Sequence, residues 1–386
     1  MERSSVVLVS YGEIGTKSSG VRAKMVQRLA ENVTAVLEDR SIAGDVERRW
    51  ARLVVYTDEP GRVAEAAADV PGVVWARPAT LVAAEMETVL EAGRDLAAVH
   101  GDPDAPYAVR ARRAGGDDAH EFTSHDLERD VGRVVGEETG APVDLEDPAR
   151  TYHVEVRDDE AFLSARTVDG PGGLPVGTQD PVVALVSGGI DSPVAAYELM
   201  RRGSPVVPVY VDLGEYGGAD HLARAEETVE TLARYAPNFD LHLRVVPAGD
   251  IVETLMEEVG HTRMLSLRRA MLRIGEELAR EIDAEGIATG ESLGQKSSQT
   301  AANLRVTDAA VSLPVHRPLL TRDKADIVAA AREIGTYHDS TIPVGCERVA
   351  PSRPETRASL PKVLDAEPDD LLERAAAAAD SALRSP

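Results

Sequence analysis

The amino-acid sequence predicts an α/β protein in which two small α+β units precede a doubly wound parallel sheet. Three observations lead there. The N-terminal stretch reads as strand, helix, strand, strand, helix, strand. From Val182 onward, short apolar strands alternate with helices, the pattern of a parallel sheet covered on both faces. Between the two regimes lies Asp169 to Gln179, rich in Gly and Pro, which marks a boundary. Domains are expected at 1–79, 80–168 and 181–386, with 169–180 as linker, and a chain of 386 residues is long enough to give each its own core.

In the first domain, Val6 to Ser10 reads as a strand, Val21 to Leu37 as an amphipathic helix, and Val46 to Trp50 with Leu53 to Thr57 as paired strands. Val63 to Asp69 is then a short helix and Val73 to Pro78 a last strand. That order is the ferredoxin-like arrangement. The helix after the loop Gly12 to Lys17 carries Arg22, Lys24 and Arg28, which read equally as a solvated face or as contacts to an RNA backbone.

The second domain follows as the helix Met86 to Val99, the strand Tyr107 to Arg112, the helix Ser124 to Thr139, and a hairpin of Tyr152 to Val156 with Ala161 to Ala165. This order resembles the THUMP domain of RNA-modifying enzymes. Arg110, Arg112 and Arg113 stand where that family has a basic strand, with Asp117, Asp118 and Glu121 beside them as opposing charge. Arginine is the denser phosphate binder, so these three are the candidate RNA contacts.

The third domain opens on VVALVSGGIDSPVAAYELM, Val182 to Met200. Val182 to Val186 is a buried strand, and a helix starts after the turn, with Pro193 in its first turn and Ser192 or Asp191 as cap. Strand, turn and helix aim unpaired amides and a positive helix end at one point, which is how proteins hold phosphate. Gly188 and Gly189 let the backbone come close to an anion; a tight turn at a sheet edge is the alternative. No Lys closes the loop, which argues against a Walker-type site.

Further strands are expected at Pro205 to Val211, Leu241 to Val246 and Gly286 to Thr289, and helices at Leu222 to Tyr235, Ile251 to Glu258 and Met264 to Glu285. Ligands gather at the carboxyl ends of such strands, which nominates the loops Ser187 to Ser192, Asp212 to Gly218 and Gly290 to Gln299. The run TGESLGQKSSQTAANL, Thr289 to Leu304, is small and polar although it follows a buried strand. Within it Glu291 is a candidate oxygen ligand for Mg²⁺, a polar surface loop being the alternative. RPLLTRDK (Arg317 to Lys324), a helix from Ala325 to Ile334, and a Pro-x-x-Cys at Pro343 to Cys346 follow.

SGGIDS resembles the pyrophosphate loop, or PP-loop, of ATP pyrophosphatases. Together with TGESLGQKSSQTAANL, RPLLTRDK and Pro343 to Cys346 it resembles the tRNA 4-thiouridine synthase (tRNA sulfurtransferase) family over nearly the whole chain. What the resemblance implies is ATP-dependent replacement of the 4-oxygen of uridine at position 8 of tRNA by sulfur, through adenylation of that oxygen and attack by a cysteine persulfide. Asp191 and Lys324 then serve adenylation. Leu185, Val186, Tyr210, Val211, Gly290 and Gln299 contact ATP, with Ser187, Gly188, Gly189 and Ser192 as its pyrophosphate loop. Arg268 stands in place of a family Lys, keeping charge but changing phosphate geometry, and Cys346 bears the persulfide. ATP and Mg²⁺ are the implied cofactors, and tRNA with a cysteine desulfurase or other sulfur donor the implied partners.

Two departures matter. Members with a C-terminal rhodanese domain use a second Cys there, and that domain is the part tied to thiamine thiazole synthesis; this sequence reaches Pro386 without one, so a thiamine role is not expected. Members with an iron–sulfur cluster carry a Cys-x-x-Cys near the start of the long helix, where this sequence has Met264 to Arg269 without cysteine. A single thiol excludes a three-cysteine cluster and an internal disulfide, so an external thiol or sulfide is expected to close the cycle.

Composition bounds the rest. The formal charge is −24, from 42 basic and 66 acidic residues, and only five of the basic residues are lysine. Such a surface suits high salt, where screening weakens self-repulsion, and any nucleic-acid role must rest on local patches. No run approaches the roughly 18 apolar residues of a membrane span, so no membrane partner and a cytoplasmic location are expected. Taken alone, Cys346 would read as a small buried hydrophobe. Another PP-loop ligase and a non-catalytic RNA-binding protein are the competing readings, but the first usually brings an ammonia source or Cys pairs and the second predicts decay of Asp191, Lys324 and Cys346. The Ala-rich tail Glu367 to Leu383 reads as a helix that packs on the fold or on a second copy in a homodimer.

Overall fold

The computed structural model describes residues 4–114, 120–217, 219–337 and 346–383, without the side chains of 219, 346, 347 and 383. The chain forms two compact units, Met1–Leu174 and Pro175–Pro386.

In the first unit the elements are β1 (Ser4–Tyr11), α1 (Ser19–Asp39), β2 (Asp45–Arg49), β3 (Arg52–Tyr56), α2 (Pro60–Ala68) and β4 (Val73–Ala83). They continue as α3 (Met86–His100), β5 (Tyr107–Ala114), α4 (Ser124–Thr139), β6 (Arg150–Arg157), β7 (Glu160–Ser164) and β8 (Val168–Asp169). All eight strands belong to one sheet, ordered β2-β3-β1-β4-β7-β6-β5 with β8 on β4. The join is β4: its length pairs antiparallel with β1, and its end pairs with β7 through Thr80 and Leu163. The border expected at 79/80 therefore falls inside a single strand. Local chemistry sets the helix ends. Thr123 and Asp126 exchange hydrogen bonds in a capping box that starts α4, and Gly140, at φ 72°, ends it in the left-handed region.

Strand alternation divides the sheet's two faces. Val7 and Val9 point to the helical side with Leu29 and Val33 of α1, whereas Val6 and Leu8 point the other way with Val54, Leu81 and Phe162. On that second face Arg52 of β3 pairs with Glu155 of β6 at 2.9 Å, and Arg49 of β2 with Glu160 of β7 at 2.9 Å. Each pair joins strands four places apart, about 19 Å in a flat sheet. The sheet is therefore curled and twisted around this face, making it concave.

The second unit comprises β9 (Val182–Leu185), α5 (Asp191–Arg201), β10 (Val206–Asp212), α6 (Ala219–Ala233), β11 (Arg244–Pro247), α7 (Gly249–Glu258) and α8 (Arg263–Glu281). Then come β12 (Ile287–Ala288), α9 (Ala301–Asp308), β13 (Val315–His316), α10 (Lys324–Glu333), α11 (Cys346–Val349), α12 (Leu360–Leu364) and α13 (Leu371–Leu383). Its five strands are all parallel, in the order β11-β10-β9-β12-β13. Val183 and Leu185 of β9 face a core shared with α7, α8 and α13, while Val182 and Ala184 face one shared with α5, α6 and α10.

Several details refine the sequence reading. Ile190, not Ser192 or Asp191, is the cap position of α5, and no side chain caps that helix. The end of the polar run forms α9, started by Thr300, whose hydroxyl accepts from the Asn303 amide. β13 adds a fifth strand, and β11 begins at Arg244 rather than Leu241. The tail helix α13 packs on its own unit: Leu371, Ala375 and Ala379 are buried beside α8. No helix among the described residues is long and apolar enough to cross a membrane.

A buried ion pair fastens that tail. Arg269 of α8 is 2 % exposed, and its Nε donates to both oxygens of Glu367 at 3.1 and 3.0 Å while Nη1 donates to the Val306 carbonyl. Arg269→Ala strands the Glu367 carboxylate in the core, and urea unfolding is expected to show a loss of about 3–5 kcal/mol; an unchanged midpoint would mean that the tail is not held by this pair.

Candidate active site

At β9 the strand order reverses: the chain runs outward to β10 and β11 on one side and returns to build β12 and β13 on the other. The crevice beyond the carboxyl ends of β9 and β12 is the switch point of the sheet, where ligands of such folds bind. A cavity of about 280 Å³ opens there. Of the residues nominated from sequence, it is lined by Leu185, Val186, Ser187, Gly189, Asp191, Ser192, Arg268, Gly290, Glu291 and Gln299. Met264, Leu267, Met271 and Leu272 of α8 add an apolar wall that the sequence reading did not single out.

The two loops meet backbone to backbone. A Cβ on Gly290 would lie 2.6 Å from the Ser192 nitrogen, so only glycine permits this approach. Within the PP-loop the Ser192 hydroxyl accepts from the Ser187 amide at 2.9 Å, and the Ser187 hydroxyl accepts from the Gly189 amide at 3.3 Å. These bonds hold the turn, and the start of α5, uncapped by any side chain, keeps donors for an anion. Gly188 turns away from the cavity; its carbonyl accepts from Arg224 Nη1 at 3.4 Å. Tyr210 and Val211 are buried at the end of β10 and do not line the cavity.

Asp191 and Lys324 come together although 133 residues separate them: Lys324 Nζ lies 2.7 Å from Asp191 Oδ1, and Gln295 Nε2 donates to Oδ2 at 3.1 Å. Glu291 is 4 % exposed and bonds Arg268 through one oxygen; its other oxygen accepts from Arg317 Nε at 2.7 Å and the Thr289 hydroxyl at 3.0 Å. Burial pushes the Glu291 carboxyl up, but the Arg268 and Arg317 charges and the hydrogen bonds outweigh it and hold it below the ordinary glutamate value. These partners weigh against the Mg²⁺ ligand expected from sequence. A divalent cation there would sit among two guanidiniums, each repelling it by roughly 4 kcal/mol per unit of charge at about 4 Å and an effective dielectric near 20.

Cys346 opens α11, and its side chain lies outside the described residues, as do Pro343 to Gly345, Asp117, Asp118 and Gly218. Its helix is anchored beside the cavity: Val349 is fully buried, its carbonyl accepts from Arg263 Nη1 at 3.3 Å, and the next residue, Ala350, lines the cavity.

A second, more polar cavity of about 470 Å³ lies on the concave face of the first unit. Arg110 and Arg112 line it, and Arg113, by alternation along β5, does not. Arg110 Nη2 donates to the Leu145 carbonyl at 2.6 Å. The sequence reading missed Arg52, Trp75, Arg77, His153 and Arg157, which share the lining. Arg52 and Arg77 both stack on Trp75, 4.5 and 4.0 Å from its ring centre, and Trp50 carries Arg49 at 4.5 Å. Arg52, Arg77 and Arg157 come singly from β3, β4 and β6, so no spacing along the chain marks them.

Three family models match the chain. The family model described as thiamine biosynthesis protein (ThiI) matches residues 177–371, the ThiI ferredoxin-like domain matches 6–76, and the THUMP domain matches 83–166. A Halobacterium salinarum protein described as "probable tRNA sulfurtransferase" is 55 % identical over 377 residues, covering 97 % of this chain and 95 % of that one. The chain belongs to the tRNA sulfurtransferase family. A relative of the same description from Methanosarcina acetivorans is 38 % identical over 92 % of this chain and 87 % of its own. Among solved structures, a 4-thiouridine synthetase–RNA complex with bound ATP matches with a TM-score of 0.86 at 27 % identity, covering 99 % of this chain and 98 % of that one.

In this sulfurtransferase the concave face also carries a titration signature. Burial, then the charges of Arg77 and Arg110, lower the His153 pKa to about 4. Because the unfolded chain binds that proton near pH 6.5 and the folded chain does not, His153 withdraws stability as pH falls from about 6.5 to 4. The difference between the urea midpoints of the parent and His153→Gln is expected to narrow or reverse in the variant's favour over that window; a constant difference would place His153 in an ordinary solvated setting.

Proposed function

We propose that this protein makes 4-thiouridine at position 8 of tRNA. The uridine 4-oxygen attacks the α-phosphorus of ATP and pyrophosphate leaves; the terminal sulfur of a Cys346 persulfide then attacks C4 and AMP leaves. An external thiol cleaves the resulting disulfide link, releasing the thiouridine, and a second reduces Cys346 so that a cysteine desulfurase or other donor can recharge it. The observation that carries this reading is the convergence of the PP-loop, the Thr289 to Leu304 run and the Asp191–Lys324 pair at one switch-point cavity, with the helix of Cys346 entering beside it.

The chain's own groups divide the work. Uncapped amides at the start of α5 and the Lys324 ammonium suit the triphosphate, and the α8 wall with Leu185 and Val186 suits the nucleoside. Mg²⁺ would travel with the phosphates, with Asp191 as the carboxylate offered to it and neutralisation of phosphate charge as its contribution. On the first unit, Arg110 and Arg112 with the Arg-stacked Trp75 suit the phosphates and bases of tRNA.

Cys346→Ser is expected to keep ATP-dependent pyrophosphate release with tRNA while forming no thiouridine from a desulfurase. Thiouridine assayed in the product tRNA decides it: full activity of the serine variant with the desulfurase would refute the carrier role. For the tRNA grip, the double variant Arg110→Ala, Arg112→Ala is expected to bind more weakly and to flatten the slope of log K against log salt by about two, since each arginine removed leaves one phosphate with its counterions. Unchanged affinity and slope would move the grip elsewhere.

A further inference from the structure

We propose that Glu291 is a positioning residue for ATP, an enclosed anion that turns Arg268 into the nucleotide cavity, and that Arg317 holds Glu291 in that role. The proposal rests on ATP occupying the cavity of the second unit.

The geometry is a chain of alternating charges running from the cavity to the surface. Arg268 lines the cavity; its Nη1 bonds Glu291, and its Nη2 donates to the side-chain oxygen of Gln299 at 3.2 Å when the Gln299 amide nitrogen donates to the Ser292 carbonyl at 2.9 Å. Glu291 bonds Arg317, and Arg317 forks onto Asp308 at 3.2 and 2.5 Å. Arg317 and Asp308 do not line the cavity, and Asp308 is 43 % exposed. Both Nη groups of Arg268 are thus engaged, and its buried Nε–H has no acceptor among the described residues. Glu291 cannot exchange its guanidinium partners for a metal cheaply, since the two already neutralise it. Its effect on ATP therefore runs through Arg268: a guanidinium fixed beforehand loses little freedom when the nucleotide arrives.

A metal ligand and a positioning anion differ in their dependence on magnesium. ATP is titrated calorimetrically into the full-length parent, Glu291→Gln, Arg317→Lys and Arg268→Ala, and into the Glu291→Gln, Arg268→Ala double variant, with Mg²⁺ and again in EDTA. Thermal melts confirm that each is folded. Glu291→Gln is expected to weaken ATP by about tenfold or more, the scale of a charge-assisted hydrogen bond, equally in both buffers. Once Arg268 is gone it should add little. Loss confined to the Mg²⁺ buffer, or full additivity with Arg268→Ala, would overturn the positioning role. Should Glu291→Gln fail to fold, Arg317→Lys decides: it keeps the charge, loses the fork and touches no cavity, so a weakening of ATP supports the relay and parent-like affinity overturns it. A parent that binds no ATP would overturn the reading of the cavity itself, and this role with it.

Discussion

Everything at the active site follows from how closely Gly290 approaches the first turn of α5. The contact is backbone on backbone, with no room for a methyl group, and it exists because β12 lies directly beside β9 in a parallel sheet. That adjacency is itself constrained. β9 is buried on both faces, so a slip of one residue would exchange the sides on which Val183 and Ala184 pack, and two separate cores would lose their fit. The register of a four-residue strand thus sets the distance between the PP-loop and the loop that carries Glu291 and Gln295, and Asp191 meets Lys324 and Gln295 as a consequence.

Charge is handled by the same economy of fixed geometry. The chain carries a net −24, yet the concave face of its first unit and the switch-point cavity of its second both present arginine. Only five of 42 basic residues are lysine, and the arginines are used as planar forks. Arg52 grips Glu155 with two nitrogens, Arg269 spans both oxygens of Glu367, and Arg317 spans Asp308. Forks held by carboxylates or stacked on Trp50 and Trp75 are oriented before any ligand arrives. At high ionic strength long-range attraction is screened within a few ångströms, so binding rests more on such short, directed contacts. The close relative from Halobacterium salinarum fits that setting.

One thiol and one cavity impose an order on the chemistry. Lys324 and Asp191 stand on one side of the crevice, and the helix that Cys346 opens runs in beside it to Ala350. Four helical residues span about 6 Å, so Cys346 opens its helix within that distance of buried Val349, which pins the other end.

The class of fold, the order of elements, the strand–turn–helix of the PP-loop and most of the cavity's lining are legible in the amino-acid sequence, because they follow from local apolar period, turn chemistry and motif spacing. The sequence does not disclose α9 or β13: one is eight residues that begin at the end of a polar run, the other two residues long, too short for any period to show. Nor does it show that Thr80 to Ala83 continue one strand across a domain border, or that Arg113 is turned from the face of Arg110 and Arg112. The partners of Glu291 lie 23 residues before it and 26 after it, and Arg52 reaches Glu155 from 103 residues away. Those pairings exist only in three dimensions, because a carboxylate's neighbours depend on how a sheet curls and where loops converge, and neither is encoded in the spacing of residues along the chain.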